Sequence, residues 1–333
     1  MCFDVKKLPK KINEYNFFEK NSNGGCTLYS YGLKGDMIIV CELADFEIKK
    51  DFCVDSKAIE MLRLLSPIKE VQIDKTFVIK STKGNYIGKL IGDVPFNKPR
   101  MNFENSFKAD FSRLKIASGF CATTDKKPIL TGVNVNSNGD INATDSFVAY
   151  RYVGNGNNEN PKSITIPSAF VDFIGKNVDK NEDVIINFNT NTCMIQIDNI
   201  KYINRLLDGA FPNLSKVFDS KINSHDLKFN INDLKDKINI SKNIGANKDN
   251  PIYAIFTNNK FGAIGENDFV ANLENKSNYN ENYKFTISLD YLSKVLSNLV
   301  DNENIVVGYT EPIRPIFIEE NGNEFLILPV KKD

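Results

Sequence analysis

The chain has 333 residues, 41% of them hydrophobic and 11% aromatic, with 42 basic and 42 acidic residues and one histidine. That length allows two or three domains with real cores, and the zero net charge excludes a global field drawing the whole molecule to nucleic acid or an anionic membrane. The six cysteines have neither C-x-x-C nor metal-ligand spacing, and no apolar run reaches the roughly 20 residues of a spanning helix.

Reduced, mostly buried thiols are therefore expected. Asp4, Lys6 and Lys7 interrupt any signal core, so the expectation is a soluble, cytoplasmic protein.

In chain order, residues 5–18 read as a helix, with Pro9 in the first turn where a missing N–H is tolerated. Strands are expected at 27–31 and 36–42. Phe52-Cys53-Val54-Asp55-Ser56 then leads into an apolar helix at 58–65 and strands at 71–73, 76–81 and 86–91. After a polar boundary near 95–105, apolar residues at 107, 111, 114 and 116–117 give a helical period over 107–120. Strands at 129–134 and 141–148 flank the turn Ser137-Asn138-Gly139-Asp140. The Asn/Gly-rich stretch 153–162 holds a GxG without strand-to-helix context, so it reads as a surface loop and not a phosphate loop.

From Ile164 the pattern seen around Val54 returns. A short strand enters a helix at Pro167-Ser168, the helix closes at Gly175, and strands follow at 183–188, 193–197 and 201–207. Beyond a second polar boundary near 219–228, a helix is expected at 231–244, with strands at 252–256 and 261–264. The Phe-Val-Ala of 147–149 recurs at 269–271. Phe285-Thr286-Ile287-Ser288 leads into a third helix at 291–299 and strands at 305–309, 315–318 and 325–330. The anchors Val54, Ile166 and Ile287 lie 112 and 121 residues apart, so three copies of one domain-sized unit are expected: 1–104, 105–222 and 223–333.

Charge is unevenly placed along this repeat. The three front helices and their ends (5–20, 106–122, 231–248) hold twelve basic and five acidic residues, a surplus of seven in a neutral chain. Lys6, Lys7, Lys10, Lys11, Lys108, Arg113, Lys115, Lys235, Lys237 and Lys242 belong to them, with Lys126 and Lys127 just beyond the second. A basic wall of equivalent helices would attract a phosphate backbone without reading bases; the plainer reading is a solvated lysine face on each helix.

No catalytic constellation is complete. His225 sits in an expected linker without a nucleophile elbow, and nothing near Asp145 finishes a metal or base site. A hydrolase or nuclease using Asp145 and His225 remains the enzyme alternative. No metal or cofactor is expected.

Over 105–333 these residues resemble the bacterial-type DNA polymerase III beta sliding clamp family. Lys127-Pro128-Ile129-Leu130-Thr131-Gly132-Val133, Ala143-Thr144-Asp145 and Asn204-Arg205-Leu206-Leu207-Asp208-Gly209-Ala210-Phe211-Pro212-Asn213 look like its second domain. Arg314-Pro315-Ile316-Phe317-Ile318 and Phe325-Leu326-Ile327-Leu328-Pro329-Val330 look like its closing strands. Residues 1–104 agree only in element order.

The resemblance implies an α+β fold of three clamp domains, each with two helices on an inner face and antiparallel sheets outside, closing head to tail into a homodimeric ring around duplex DNA. It also implies a processivity factor without catalytic activity. Its partners would be duplex DNA of any sequence, a second copy, and the polymerase catalytic subunit and clamp loader, which dock through short peptide motifs. The docking cleft carried over is Leu130, Thr144, Ser146, Phe147 and Ala149, with Asp219 at the junction and Tyr291, Ile313, Pro315, Leu326 and Leu328 from the last domain. Ser146-Phe147-Val148-Ala149 and Asp219 depart from the family's Gly-His-Arg-Leu and junction proline, so a distinct peptide preference is expected. The alternative is a monomeric clamp-like adaptor that binds such peptides without closing a ring.

Overall fold

Each helix in this chain tends to follow a short strand whose last residue caps it. The computed structural model describes residues 7–32, 37–92, 96–124, 126–136, 139–154, 162–177, 183–244, 251–279, 281–299 and 303–331. The helices are α1 (Ser56–Leu64), α2 (Phe111–Ser118), α3 (Ser168–Gly175), α4 (Ser215–Asp219), α5 (Ile231–Ser241) and α6 (Leu289–Leu296). Asp55 accepts a hydrogen bond from the Ala58 N–H, Asn230 from Asp233 and Ser288 from Tyr291. Asp110 accepts from the Ser112 and Arg113 N–H groups at the start of α2. A side-chain oxygen thus satisfies backbone donors that have no partner inside the helix.

The chain forms two compact units, neither continuous in sequence: residues 1–115 with 158–208, and residues 116–157 with 209–333. In the first unit an eight-stranded antiparallel sheet runs Phe52–Asp55, Tyr15–Lys20, Cys26–Tyr31, Met37–Leu43, Ile200–Arg205, Thr192–Ile197, Asp183–Phe188, Asn105–Asp110. A three-stranded sheet, Ile68–Ile73, Thr76–Ser81, Gly84–Lys89, accompanies it. The alternation of Phe18 with Phe17 and Glu19 sends one ring into the core, where Phe18, Phe52 and Phe77 stack in series at 4.6 and 5.6 Å. α1 buries Ala58, Ile59 and Leu62 in this cluster.

In the second unit seven strands run Gly132–Val135, Ile141–Thr144, Val148–Tyr152, Asn323–Ile327, Ile316–Glu320, Asn304–Tyr309, His225–Asn230. A four-stranded sheet runs Asp268–Asn272, Lys260–Ile264, Tyr253–Thr257, Lys284–Ser288. Phe256 and Phe285 stack at 4.7 Å in one apolar centre, and Phe120, Tyr150 and Phe325 form another.

The α+β class with antiparallel sheets agrees with the sequence, but five local expectations are corrected, one being that 129–131, expected to open a strand, belong to the 3₁₀ turn Pro128–Thr131 ahead of the strand Gly132–Val135. No α-helix occupies the described part of 5–18: Tyr15–Lys20 is a strand, paired on both sides. Pro9 cannot donate, and Asn13 ties the segment to Ser30 through its N–H and side-chain amide, so the chain enters extended. Residues 107–110, expected to begin a helix, belong to the strand Asn105–Asp110, whose Phe107 and Ala109 are buried, and α2 starts only at Phe111. His225 is not in a linker but opens the strand His225–Asn230, its ring stacked on Tyr279 at 4.7 Å. The strand expected over 141–148 is instead two strands with a turn between them, and it is this turn that matters below. The loop expected at 153–162 falls largely on residues 155–161, outside the described residues.

Cys26, Cys41, Cys53, Cys121 and Cys193 are buried thiols. Burial pushes the thiols of Cys26, Cys41 and Cys193 up to about 12, so they stay protonated at pH 8. Ellman's reagent at pH 8 should titrate no more than one thiol in the native protein and all six after denaturation. Several fast-reacting native thiols would contradict this burial.

Candidate functional site

The second unit holds an apolar cavity of about 590 Å³, within the range of ligand pockets. One wall is the 3₁₀ turn Pro128–Thr131, which contributes Ile129 and Leu130. The floor comes from paired strands: Ala149 faces Leu326 across the ladder, Val148 faces Ile327, and Leu328 extends the edge. The opposite wall is α4 and the segment before it, with Leu214, Val217 and Phe218. Ala149, Phe218, Phe317 and Leu326 are buried together, so the wall is anchored in core rather than laid on it.

Arg151 fixes α4 in place. Its guanidinium lies 4.6 Å from the Phe218 ring centroid, pairs with Glu324 and reaches Asp219 at 3.6 Å. Burial opposes its charge, yet Glu324 and then Asp219 lift the guanidinium above its ordinary value. The arginine thus joins the sheet to the cavity wall through a cation–π contact and two carboxylates.

The turn 145–147 forms the mouth, and its shape is over-determined. The Asp145 carboxylate accepts from the N–H groups of Phe147 and Val148 at 2.8 and 2.9 Å. The Thr144 hydroxyl donates to the Val148 carbonyl at 2.7 Å and accepts from the Ser146 N–H at 3.0 Å. Burial, and then the Asp145 carboxylate, raise the pKa of the Tyr291 phenol. The Leu328 N–H donates to the Phe147 carbonyl at 2.9 Å, so the turn is stitched to the closing segment. Phe147 is left 61% exposed at the rim of an apolar cavity.

Ser146 takes φ +86°, a conformation that costs an L-residue about 1–2 kcal/mol. Glycine there removes this cost and returns part of it as unfolded-chain entropy, about 0.4–1 kcal/mol. Ser146→Gly should therefore stabilise the protein by about 0.5–1 kcal/mol, read as a higher urea midpoint at unchanged m-value. A lower midpoint would mean that the serine hydroxyl matters more than the backbone.

The cavity brings together Leu130, Thr144, Ser146, Phe147, Ala149, Leu326 and Leu328 of the expected cleft. It does not include four others. Tyr291 acts behind it through Asp145, Asp219 stands exposed on α4 facing Arg151, and Ile313 and Pro315 lie in the turn before Ile316–Glu320, with Ile313 70% exposed. Sequence reasoning missed Val217, Phe218 and Arg151. For the first two the signal was the Leu214/Val217/Phe218 spacing of a short helix, just ahead of the stretch 219–228 read as a polar boundary. Asp145 caps the turn by accepting from two backbone N–H groups, and the His225 ring is stacked on Tyr279.

Several of the expected basic residues are engaged in ion pairs. Lys6 lies outside the described residues. Lys7 pairs with Asp45, Lys108 with Asp183 at 2.5 Å, Arg113 with Asp110 at 3.5 Å and Lys237 with Asp233. Lys10 and Lys11 precede a strand instead of sitting on a helix, and the Lys11 N–H donates to Asn177. Lys127 lines the apolar cavity, beside exposed Lys126. Lys115 lies on α2 and Lys235 on α5, and Lys242 ends α5.

Comparison with known proteins follows the same lines. The family described as DNA polymerase III beta subunit, central domain, matches residues 104–213. Beta sliding clamps of Staphylococcus epidermidis and Staphylococcus aureus are 25% and 24% identical over 229 and 227 residues, 63% of this chain. Those matches span 59% of the relatives' own length. Among solved structures, the DnaN sliding clamp of Bartonella birtlesii bound to griselimycin superposes with a TM-score of 0.81 at 15% identity, covering 98% of this chain and 96% of that one. The beta subunit from DNA polymerase of Streptococcus pyogenes gives 0.80 at 19%, with coverage of 98% and 96%. That of Thermotoga maritima gives 0.79 at 16%, with coverage of 99% and 95%. At such identities these likenesses give the fold.

Proposed function

Since the chain is a divergent member of the beta sliding-clamp family, we propose that it is a DNA sliding clamp, a processivity factor without catalytic activity. Three clamp domains, 1–104, 105–222 and 223–333, would close head to tail with a second copy around duplex DNA in the cytoplasm, on an inner face whose lysines attract phosphate and allow sliding. The 590 Å³ cavity would hold the peptide motifs of a polymerase subunit and a clamp loader.

The observation that carries this reading is the cavity itself: a pre-formed apolar groove at the residues that the family resemblance marks. Phe147 at its rim and the small Ala149 in its floor give it a shape of its own. A standard bacterial clamp-binding peptide should bind more weakly than low micromolar in a calorimetric titration, and low-micromolar affinity would refute the altered preference.

The commitment of Lys7, Lys108, Arg113 and Lys237 to pairs within the chain favours a second reading, a monomeric adaptor that binds such peptides without a ring. Light scattering across a dilution series separates the two. A mass near twice 37.6 kDa supports the ring, and a monomer at micromolar concentration supports the adaptor.

A further inference from the structure

The first unit contains a cavity of about 740 Å³ at the position that corresponds, strand for strand, to the apolar cavity of the second. In the second unit Thr144 pairs with Ala149, and Ala149 with Leu326. In the first, Tyr31 pairs with Ile38, and Ile38 with Ile203. The ladders map Tyr31 onto Thr144, Ile38 onto Ala149, Ile203 onto Leu326 and Arg205 onto Leu328. The segment 96–104 crosses this cavity as 210–218 crosses the other.

The repeat has kept the groove and changed its chemistry. Tyr31 and Phe96 lie with ring centroids 4.9 Å apart beside Ile38 and Ile203, which gives an aromatic and aliphatic floor. Leucine at the edge is replaced by Arg205, and the crossing segment brings Arg100 in place of α4's apolar face. Both arginines are exposed, and neither makes an ion pair among the described residues. Lys98 is already paired with Glu19 at 2.7 Å, and among the described residues Glu104 is the one carboxylate in the lining. Arginines lining a cavity that also offers aromatic and aliphatic side chains suit carboxylates, which guanidinium groups bind in a bidentate fork.

We propose that this cavity is a second docking site, for a short acidic peptide whose aromatic or aliphatic side chain rests on the Tyr31–Phe96–Ile38 floor while its carboxylates pair with Arg100 and Arg205. A phosphate backbone would use the cations but not the floor, so a peptide is the better match. The site needs neither ring closure nor DNA, so its test stands apart from the proposed function.

The probe is a fluorescein-labelled peptide of alternating Asp and Glu around a central Phe-Leu pair, titrated with the full chain by anisotropy. The wild type should bind it, and the double variant Arg100→Glu, Arg205→Glu should bind at least about tenfold more weakly with unchanged melting temperature. Leu328→Glu, in the other cavity, should leave the affinity within about twofold. If the charge-reversed protein does not fold, Arg100→Gln with Arg205→Gln replaces it, and loss is again expected. The proposal is overturned if the wild type does not bind, if a lysine version of the peptide binds equally, or if Leu328→Glu abolishes binding while the arginine variants do not. Competition by single-stranded oligothymidylate that vanishes with the arginines would assign the surface to nucleic acid and equally overturn it.

Discussion

Leu328→Glu should lower the affinity of an apolar clamp-binding peptide by about a hundredfold or more while leaving the protein folded. The Leu328 side chain stands at the cavity edge, about one-third exposed, and its tie to the turn is through its N–H to Phe147, which any residue supplies. A carboxylate there finds Leu130, Ala149 and Leu326 in the same lining and, among the described residues, no cation there apart from Lys127. Loss of one buried aliphatic contact costs about 1.5–3 kcal/mol, and a charge facing an incoming apolar side chain adds to it. Phe147→Ala should act in the opposite sense, opening the mouth and tightening a standard bacterial peptide. Calorimetry on both variants checks the pair; unchanged affinity in Leu328→Glu would place the peptide elsewhere.

If the proposed dimer forms, Ile87→Lys combined with Val270→Lys should turn it into a monomer. Gly84–Lys89 is an outer strand of the three-stranded sheet and Asp268–Asn272 an outer strand of the four-stranded one. Each presents an aliphatic side chain at its middle, Ile87 70% and Val270 69% exposed. An open edge with exposed apolar residues is a template for another strand, and natural proteins usually blunt it with charge. Pairing one copy's first edge with the other copy's second would cover both. Lysine at both positions places like charges across that interface, a cost of several kcal/mol, so the dissociation constant should rise at least about a hundredfold. Exposed positions outside the core shift stability by only about 0.5 kcal/mol, so melting of the protomer should hardly change. A mass that stays near twice 37.6 kDa would mean that these edges do not make the dimer.

How much of this was readable in the sequence depended on whether one period or two fitted a segment. Ile164–Pro167 followed by α3, and Lys284–Ser288 followed by α6, were legible because a strand, a polar helix start and a helical period occur in clean succession. At 105–118 the positions 107, 111, 114 and 117 satisfy a helix, while 107 and 109 also satisfy a strand. The tertiary partner Asp183–Phe188 decided the first six residues. At 7–14 nothing local reports that Tyr15–Lys20 will have partners on both flanks.

Within the cavity, the strand residues followed from motif likeness. The role of Arg151 could not, because it depends on Glu324 lying opposite it after a separation of 173 residues and on a helix turn bringing Phe218 over its plane. Ion pairing likewise decided which lysines are spoken for, and charge counting does not see geometry.

Both large sheets are completed late in the chain. The strand Met37–Leu43 finds its neighbour in Ile200–Arg205, and Val148–Tyr152 finds its own in Asn323–Ile327. Such pairings close long loops before any contact rewards them, which makes assembly slow. During synthesis the first hairpins emerge with a bare edge and wait for more than 150 residues to be added. Fragments cut near residue 104 or 222 would lack those partners, and they should emerge as aggregating pieces, not as independent domains. The maturing chain therefore depends on whatever shields a strand edge until the ribosome has delivered its mate.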